Sequence, residues 1–340
     1  MNIDAKLLSV CIPAYNRPSE LFRLLESIDC KEFSDVEIII CEDKSPKRED
    51  ITKVVKKFIE HTNYQVIYCE NIVNYGYDKN LQELISKSKS SFITFMGDDD
   101  VFVPGALIKL IKFLRENRDL GYVLKSHQQL FKNGNIEYFR YYSSNIFFPG
   151  GVETYVDLFR KSVFISGFTI NRNYIQGLQT SHFDGTLLYQ LYLLSEVALN
   201  HRCAYFNTIL TEGKEEGVPY FGGSESEKGL YTPGEITIKN SINFLNGFFK
   251  ITRFIDKKYR INSTKKIKID MSKYFYPSLA IQRDKGIKVF FQYLVKLHPI
   301  GFGITIYYYI YIVALVLFGK ARCDSIIVFL KKILGRTPSL

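Results

Sequence analysis

Two hydrophobic periods alternate along the first half of the chain. Short apolar, β-branched runs at residues 7–12, 36–41, 65–69 and 91–96 read as buried strands. Between them the apolar positions recur every three to four residues. Leu21, Leu24, Leu25 and Ile28 follow a capping Ser19-Glu20; a second helix covers 49–61; a third carries Leu81, Leu84 and Ile85; a fourth spans 106–114. Strand and helix in strict alternation predict βαβ units and an α/β fold with a mainly parallel sheet. Every one of these strands ends in a polar loop. That places residues 15–17, Asp43, 74–79 and 98–100 on one rim, at the carboxyl ends of the strands, where open α/β sheets bind ligands.

The pattern then changes. Residues 122–131 and 136–142 flank Asn133-Gly134 and predict a β-hairpin. A strand is expected at 164–170, a helix at 187–199 after Ser181-His-Phe-Asp-Gly-Thr186, and a last strand at 203–210. Residues 213–233 hold five Gly, two Pro and four Glu, a composition that builds no core, and are expected to form a long mobile loop over the site. The expected division is a catalytic domain over 1–215 and, over 216–340, this loop followed by a basic helical region.

Composition adds a compartment and a charge asymmetry. The six cysteines show no CxxC spacing, and Cys11, Cys41 and Cys69 fall at strand ends. Buried free thiols in a reducing, cytoplasmic setting are expected, and the first residues lack a signal-peptide pattern. The net charge of +10 is uneven: residues 235–340 carry 19 Lys and Arg against 5 Asp and Glu, whereas residues 1–234 are mildly acidic. An anionic partner is therefore expected for the last third alone.

The chemistry concentrates at Asp98, Asp99 and Asp100. Three adjacent carboxylates at a strand end repel one another, and hard oxygen ligands suit Mg²⁺ or Mn²⁺ shared with a diphosphate. The alternative is an acidic turn capping the next helix. Four segments at the strand ends carry a resemblance: Val10-Cys-Ile-Pro-Ala-Tyr-Asn-Arg17, Glu37-Ile-Ile-Ile-Cys-Glu-Asp-Lys-Ser45, Asn74-Tyr-Gly-Tyr-Asp-Lys-Asn80 and Gly97-Asp-Asp-Asp-Val-Phe-Val-Pro104. In order and over about the first 110 residues, they resemble the inverting family 2 nucleotide-sugar glycosyltransferases of the GT-A fold. Met96 to Asp100, with Phe183-Asp-Gly-Thr186 entering a helix, is similar to the abequosyltransferase-like O-antigen branch.

That resemblance implies roles. Pro13, Ala14, Tyr15 and Arg17 would line the nucleotide, Asp43 would meet the pyrimidine, and Asn74 and Gly76 would complete the floor. Lys79 would stand near the diphosphate, Asp98 near the ribose, and Asp99 would bind the metal. Gly97 fills the slot of the usual first Asp, a departure for which Asp100 would compensate. Asp184 is the candidate base for an inverting transfer, with His182 as its rival; capping of the following helix is the other reading of Asp184. The partners implied are a nucleoside-diphosphate sugar donor and a polyprenol-diphosphate-linked saccharide acceptor in bacterial surface polysaccharide assembly.

Residues 304–318 are mostly apolar and include Tyr307, Tyr308, Tyr309 and Tyr311. As a helix they would reach about 22 Å, short of the ~30 Å hydrocarbon core. Basic residues flank both ends, so the segment is expected to lie on the inner face of the cytoplasmic membrane, with residues 325–334 as a short amphipathic helix. The alternative is a helical subdomain packed within the protein. Two other functions fit the sequence less well. A nucleotidyltransferase would want a glycine-rich loop after the first strand, and residues 13–18 contain no glycine. A nucleic-acid binder is opposed by the carboxylate rim, which repels phosphates.

Overall fold

The computed structural model describes residues 6–30, 33–214 and 220–334, with side chains up to 329. It divides into two compact units, 1–234 and 235–340.

The first unit opens as the hydrophobic pattern predicts. β1 (Leu8–Ala14), α1 (Pro18–Glu26), β2 (Val36–Glu42), α2 (Arg48–His61), β3 (Gln65–Glu70), α3 (Tyr77–Lys87) and β4 (Phe92–Phe95) alternate strictly. α1 starts at Pro18, whose fixed φ suits a first helical turn. Ser19 therefore lies inside that turn, and no side chain caps the helix. Then come β5 (Val101–Phe102), α4 (Ala106–Glu116), β6 (Tyr122–Leu130), β7 (Ile136–Phe139), β8 (Ile146–Phe148), α5 (Val152–Phe159), β9 (Phe168–Asn171), α6 (Tyr189–Asn200) and β10 (Cys203–Lys214). One sheet runs β3-β2-β1-β4-β9-β6-β10-β5, with β7 beside β6 and β8 beside β10. β3-β2-β1-β4 is parallel, as is β6 with β10, while β9 runs antiparallel between the two blocks.

Burial explains the order of the strands. β1 and β2 are covered on both faces and read as continuous apolar runs, whereas β3 at the edge is only partly buried. Leu21, Leu24 and Leu25 of α1 and Leu107, Leu110, Ile111 and Leu114 of α4 close one face in a single core cluster with Val10, Ile12, Ile38 and Ile40. Cys11, Cys30, Cys41, Cys203 and Cys323 are buried free thiols, and Cys69 is half-buried.

The unit ends at Gly234 rather than near residue 215. Residues 220–231, expected to be mobile, carry buried Ser224, Glu227 and Tyr231, the last two bonded to the rest of the unit. Polar side chains, not an apolar core, hold this stretch, so its composition gives no sign of order. Residues 215–219 of that loop lie outside the described residues.

The second unit is helical: α7 (Ile238–Tyr259), α8 (Ser263–Lys273), α9 (Tyr276–Asp284), α10 (Ile287–Leu297) and α11 (Ile306–Leu334). Phe248, Phe249, Ile255, Met271, Leu279, Phe290, Tyr293 and Leu315 are buried in it. α11 breaks at Gly319, which has φ 72°, so the two expected helices meet at one residue. Tyr308, Tyr311 and Leu315 face inward while Ile306, Tyr309, Ile310, Val313 and Leu317 stay exposed. Among the described residues, no helix is long and apolar enough to cross a membrane.

Candidate active site

The acidic turn after β4 sits at the carboxyl end of the sheet, and its three aspartates diverge. The buried Asp98 accepts the Tyr15 backbone N–H on Oδ2 at 2.8 Å and Arg17 Nη1 on Oδ1 at 3.0 Å. The same Nη1 lies 3.1 Å from Asp99 Oδ2, so one guanidinium bridges two neighbouring carboxylates. The Asp99 side chain is the more open, at 26% exposure against 6% for Asp98. Asp100 turns away: its carboxylate takes a hydrogen bond from the Ser166 hydroxyl. Behind it Lys125, wholly buried, donates from Nζ to the Phe164 carbonyl at 2.9 Å.

Burial drives the electrostatics here. It pushes the Asp98 and Asp100 carboxyls well up, against the pull of Arg17 on the first and Ser166 on the second. Burial also pushes the Lys125 ammonium down to about 7, opposed by the charge of Asp100. Among the described residues, no three His, Cys, Asp or Glu side chains surround a common point that could hold a metal ion. Asp99 alone of the triplet keeps an open carboxylate. That fits a cation taking one or two protein oxygens and the rest from phosphate and water, and it does not fit an all-protein cage.

The neighbouring loops build a floor. Asp43 is buried, and its carboxylate accepts the N–H groups of Tyr75 and Gly76 and the Asn71 amide, each at 2.8 Å. Burial raises it while those three bonds pull it down. In this structure Asp43 thus holds the 74–76 turn, the carboxylate that the resemblance assigns to the pyrimidine. Asn74 bonds the Gly76 N–H at 3.0 Å. Gly76 has φ 81°, and a Cβ there would come within 2.3 Å of Ser224 Oγ. Only glycine permits that approach. Pro13 and Ala14 end β1 in register with Cys41 and Glu42.

Residues 220–231 form the wall above this floor. The Tyr220 ring lies 5.0 Å from the Arg17 guanidinium and 6.1 Å from the Tyr15 ring. Glu227, 150 residues along the chain from Tyr77, accepts the Tyr77 N–H at 2.8 Å and the Gly222 N–H at 2.7 Å.

Asp184 comes to the same helix start. Its Oδ2 lies 3.5 Å from Lys79 Nζ, and its side chain is 11% exposed. His182 is exposed and packs its edge on Phe183. The cap of α6 is Asp78, which accepts the N–H groups of Leu187, Leu188 and Tyr189, so Asp184 is not the capping residue. Asp78, Lys125, Ser166, Tyr220 and Glu227 escaped the sequence reading. Asp78 stood inside the Asn74–Asn80 motif; the other four carried no local signal.

An acidic turn, a polar loop after the first strand and a carboxylate before a second-half helix stand on one mixed sheet of GT-A type. Residues 9–174, a little under half of the chain, match the profile of glycosyl transferase family 2, and that part is a domain of the family. It is 30% identical over 114 residues to the abequosyltransferase RfbV of Salmonella typhimurium, a match covering 34% of each protein. It is 24% identical over 299 residues to the GalNAc(5)-diNAcBac-PP-undecaprenol beta-1,3-glucosyltransferase of Campylobacter jejuni, covering 85% of this chain and 87% of that one. The crystal structure of S. aureus TarS 1-349 in complex with UDP-GlcNAc shares the fold, with TM-score 0.58 and 12% identity over 86% of this chain and 79% of that one.

Proposed function

We propose that the protein transfers a sugar, with inversion, from a nucleoside diphosphate to a hydroxyl of a lipid-linked saccharide during bacterial surface polysaccharide assembly. The observation that carries the reading is the Arg17 bridge between Asp98 and Asp99, at a sheet rim walled by Tyr15 and Tyr220. Asp184 takes the proton of the acceptor hydroxyl as its oxygen attacks the anomeric carbon and the bond to the diphosphate breaks. Arg17 and Lys79 are the cations available to the departing diphosphate. Asp99 would hold a Mg²⁺ or Mn²⁺ ion, which supplies further charge neutralisation of the leaving group. Asp98, saturated by Tyr15 and Arg17, orients the nucleotide loop. The Campylobacter relative, named for a PP-undecaprenol substrate, supports the choice of acceptor.

The acceptor's lipid suggests where the second unit works. Its apolar stripe of Ile306, Ile310, Val313 and Leu317, with basic residues at both ends of the segment, suits the headgroup boundary of an anionic leaflet.

A thermal-shift panel of UDP-, GDP-, CDP- and dTDP-sugars with Mn²⁺, then transfer to a polyprenol-diphosphate saccharide, tests the reading. One donor should raise Tm with Mn²⁺ and lose that effect in EDTA. No shift with any donor would overturn the proposal, and full activity in excess EDTA would remove the metal from it.

A further inference from the structure

Beyond its use as a cap, Asp78 stands in an arrangement that bears on catalysis. Its side chain is buried; Oδ2 accepts the Leu187 N–H at 2.9 Å, and Oδ1 accepts Leu188 at 3.0 Å and Tyr189 at 2.9 Å. One turn further along the same face of α3, Gln82 makes a reciprocal pair with the Thr180 backbone, donating from Nε2 at 3.1 Å and accepting on Oε1 at 3.0 Å. Residues 180–189 are thus attached to α3 at both ends, with Asp184 between the attachments. Lys79, adjacent to Asp78, reaches the Asp184 carboxylate itself.

The loop so held is not one the chain adopts unaided. Leu187 has φ 62°, a left-handed conformation that is strained for a residue with a side chain. Gly185 has φ 77°, and any Cβ there would collide with the Ser226 carbonyl at 2.2 Å. Such a backbone persists only where its surroundings dictate it, and here they do so from two sides. The start of α3 is in turn fixed to the nucleotide floor, because Asp43 accepts the N–H groups of Tyr75 and Gly76.

We infer that Asp78 is a positioning residue for sugar transfer: through the 187–189 backbone it sets where the Asp184 carboxylate stands relative to the nucleotide rim. The inference rests on Asp184 being the base. A cap alone would steady α6 and leave the reaction as it was; a positioning residue acts on turnover, and only while Asp184 is there to be positioned.

A double-mutant cycle on the full chain separates the two. The probe is whichever of the UDP-, GDP-, CDP- and dTDP-sugars shifts Tm most, with nucleotide release followed at saturation and below it. Asp78→Asn should lower kcat by about 10²-fold, as expected for a displacement near 1 Å, with KM for the nucleotide sugar within about twofold of wild type. In an Asp184→Asn background the same substitution should change the residual kcat by less than about threefold. Equal losses in both backgrounds, or a raised KM with kcat intact, would overturn the inference while the base assignment stands. Wild-type turnover in Asp184→Asn alone would overturn the base assignment and this inference with it. If Asp78→Asn does not fold, Gln82→Ala severs the other attachment and is read through the same cycle.

Discussion

Glu227→Ala isolates the contact that holds residues 220–231 on the site. The carboxylate is 3% exposed and takes two backbone N–H groups, one from Tyr77 at the start of α3 and one from Gly222 within the segment itself. Hydrogen bonds to a charged group contribute about 1.5–3 kcal/mol each, and truncation strands two N–H donors. Water reaches both donors once the segment lifts, so the expected cost is nearer the lower bound for each, about 3 kcal/mol in all. Because the segment adds few apolar residues to the core, that cost falls on local opening and not on global unfolding. At 1.4 kcal/mol per decade, the open population should rise about 10²-fold. Amide exchange across 220–231 should accelerate by that factor, KM for the nucleotide sugar should rise, and the urea midpoint should move little. Glu227→Gln, keeping one acceptor, should show a smaller effect. A urea midpoint reduced by the full 3 kcal/mol with unchanged protection of the segment would refute the latch.

Three further outcomes follow from the same geometry. Burial pushes Asp78 up to about 7 and raises Asp98 and Asp100 from 3.8, so the folded protein holds protons that the unfolded chain releases. Stability should therefore fall as pH rises from about 4 to 7, and Tm should be higher at pH 5.5 than at 7.5; the opposite slope would contradict these shifts. Asp99→Asn should abolish the Mn²⁺-dependent Tm increase with little loss of intrinsic Tm, because this carboxylate is the most open of the three; a retained Mn²⁺ response would place the cation elsewhere. Val313→Glu with Leu317→Glu should cut binding to anionic phosphatidylglycerol vesicles at least tenfold; unchanged sedimentation would exclude this stripe as the contact.

How much of this was legible in the sequence depends on the range of the interaction. β1 to β4 and the four helices α1 to α4 follow from local periodicity, and the rim loops from the polar residues that end each strand, whereas the two-residue β5 left no such mark. The direction of β9 was not legible, since a four-residue strand pairs equally well either way and only its neighbours β4 and β6 decide. Gly319 closes the apolar run 304–318, and nothing in the sequence there announces its φ of 72°. Lys79 and Asp184 were both singled out as site residues, yet nothing in the sequence places them 3.5 Å apart. Glu227 sat among glycines and serines, and its partner lies 150 residues away. Long-range polar contacts leave no local mark, and this site is assembled largely from them.

β5 has a practical consequence for anyone exchanging segments between relatives. Only two residues long, it follows the aspartate triplet directly and pairs Val101 with Glu212 and Phe102 with Thr211, near the end of β10. The acidic turn and the root of the 220–231 segment are therefore stitched to each other by the same short ladder. A chimera that imports a different wall should be spliced after Lys214. A junction inside β10 would shift that ladder and drag the carboxylates with it, and the hybrid would lose its donor site before its new specificity could be measured.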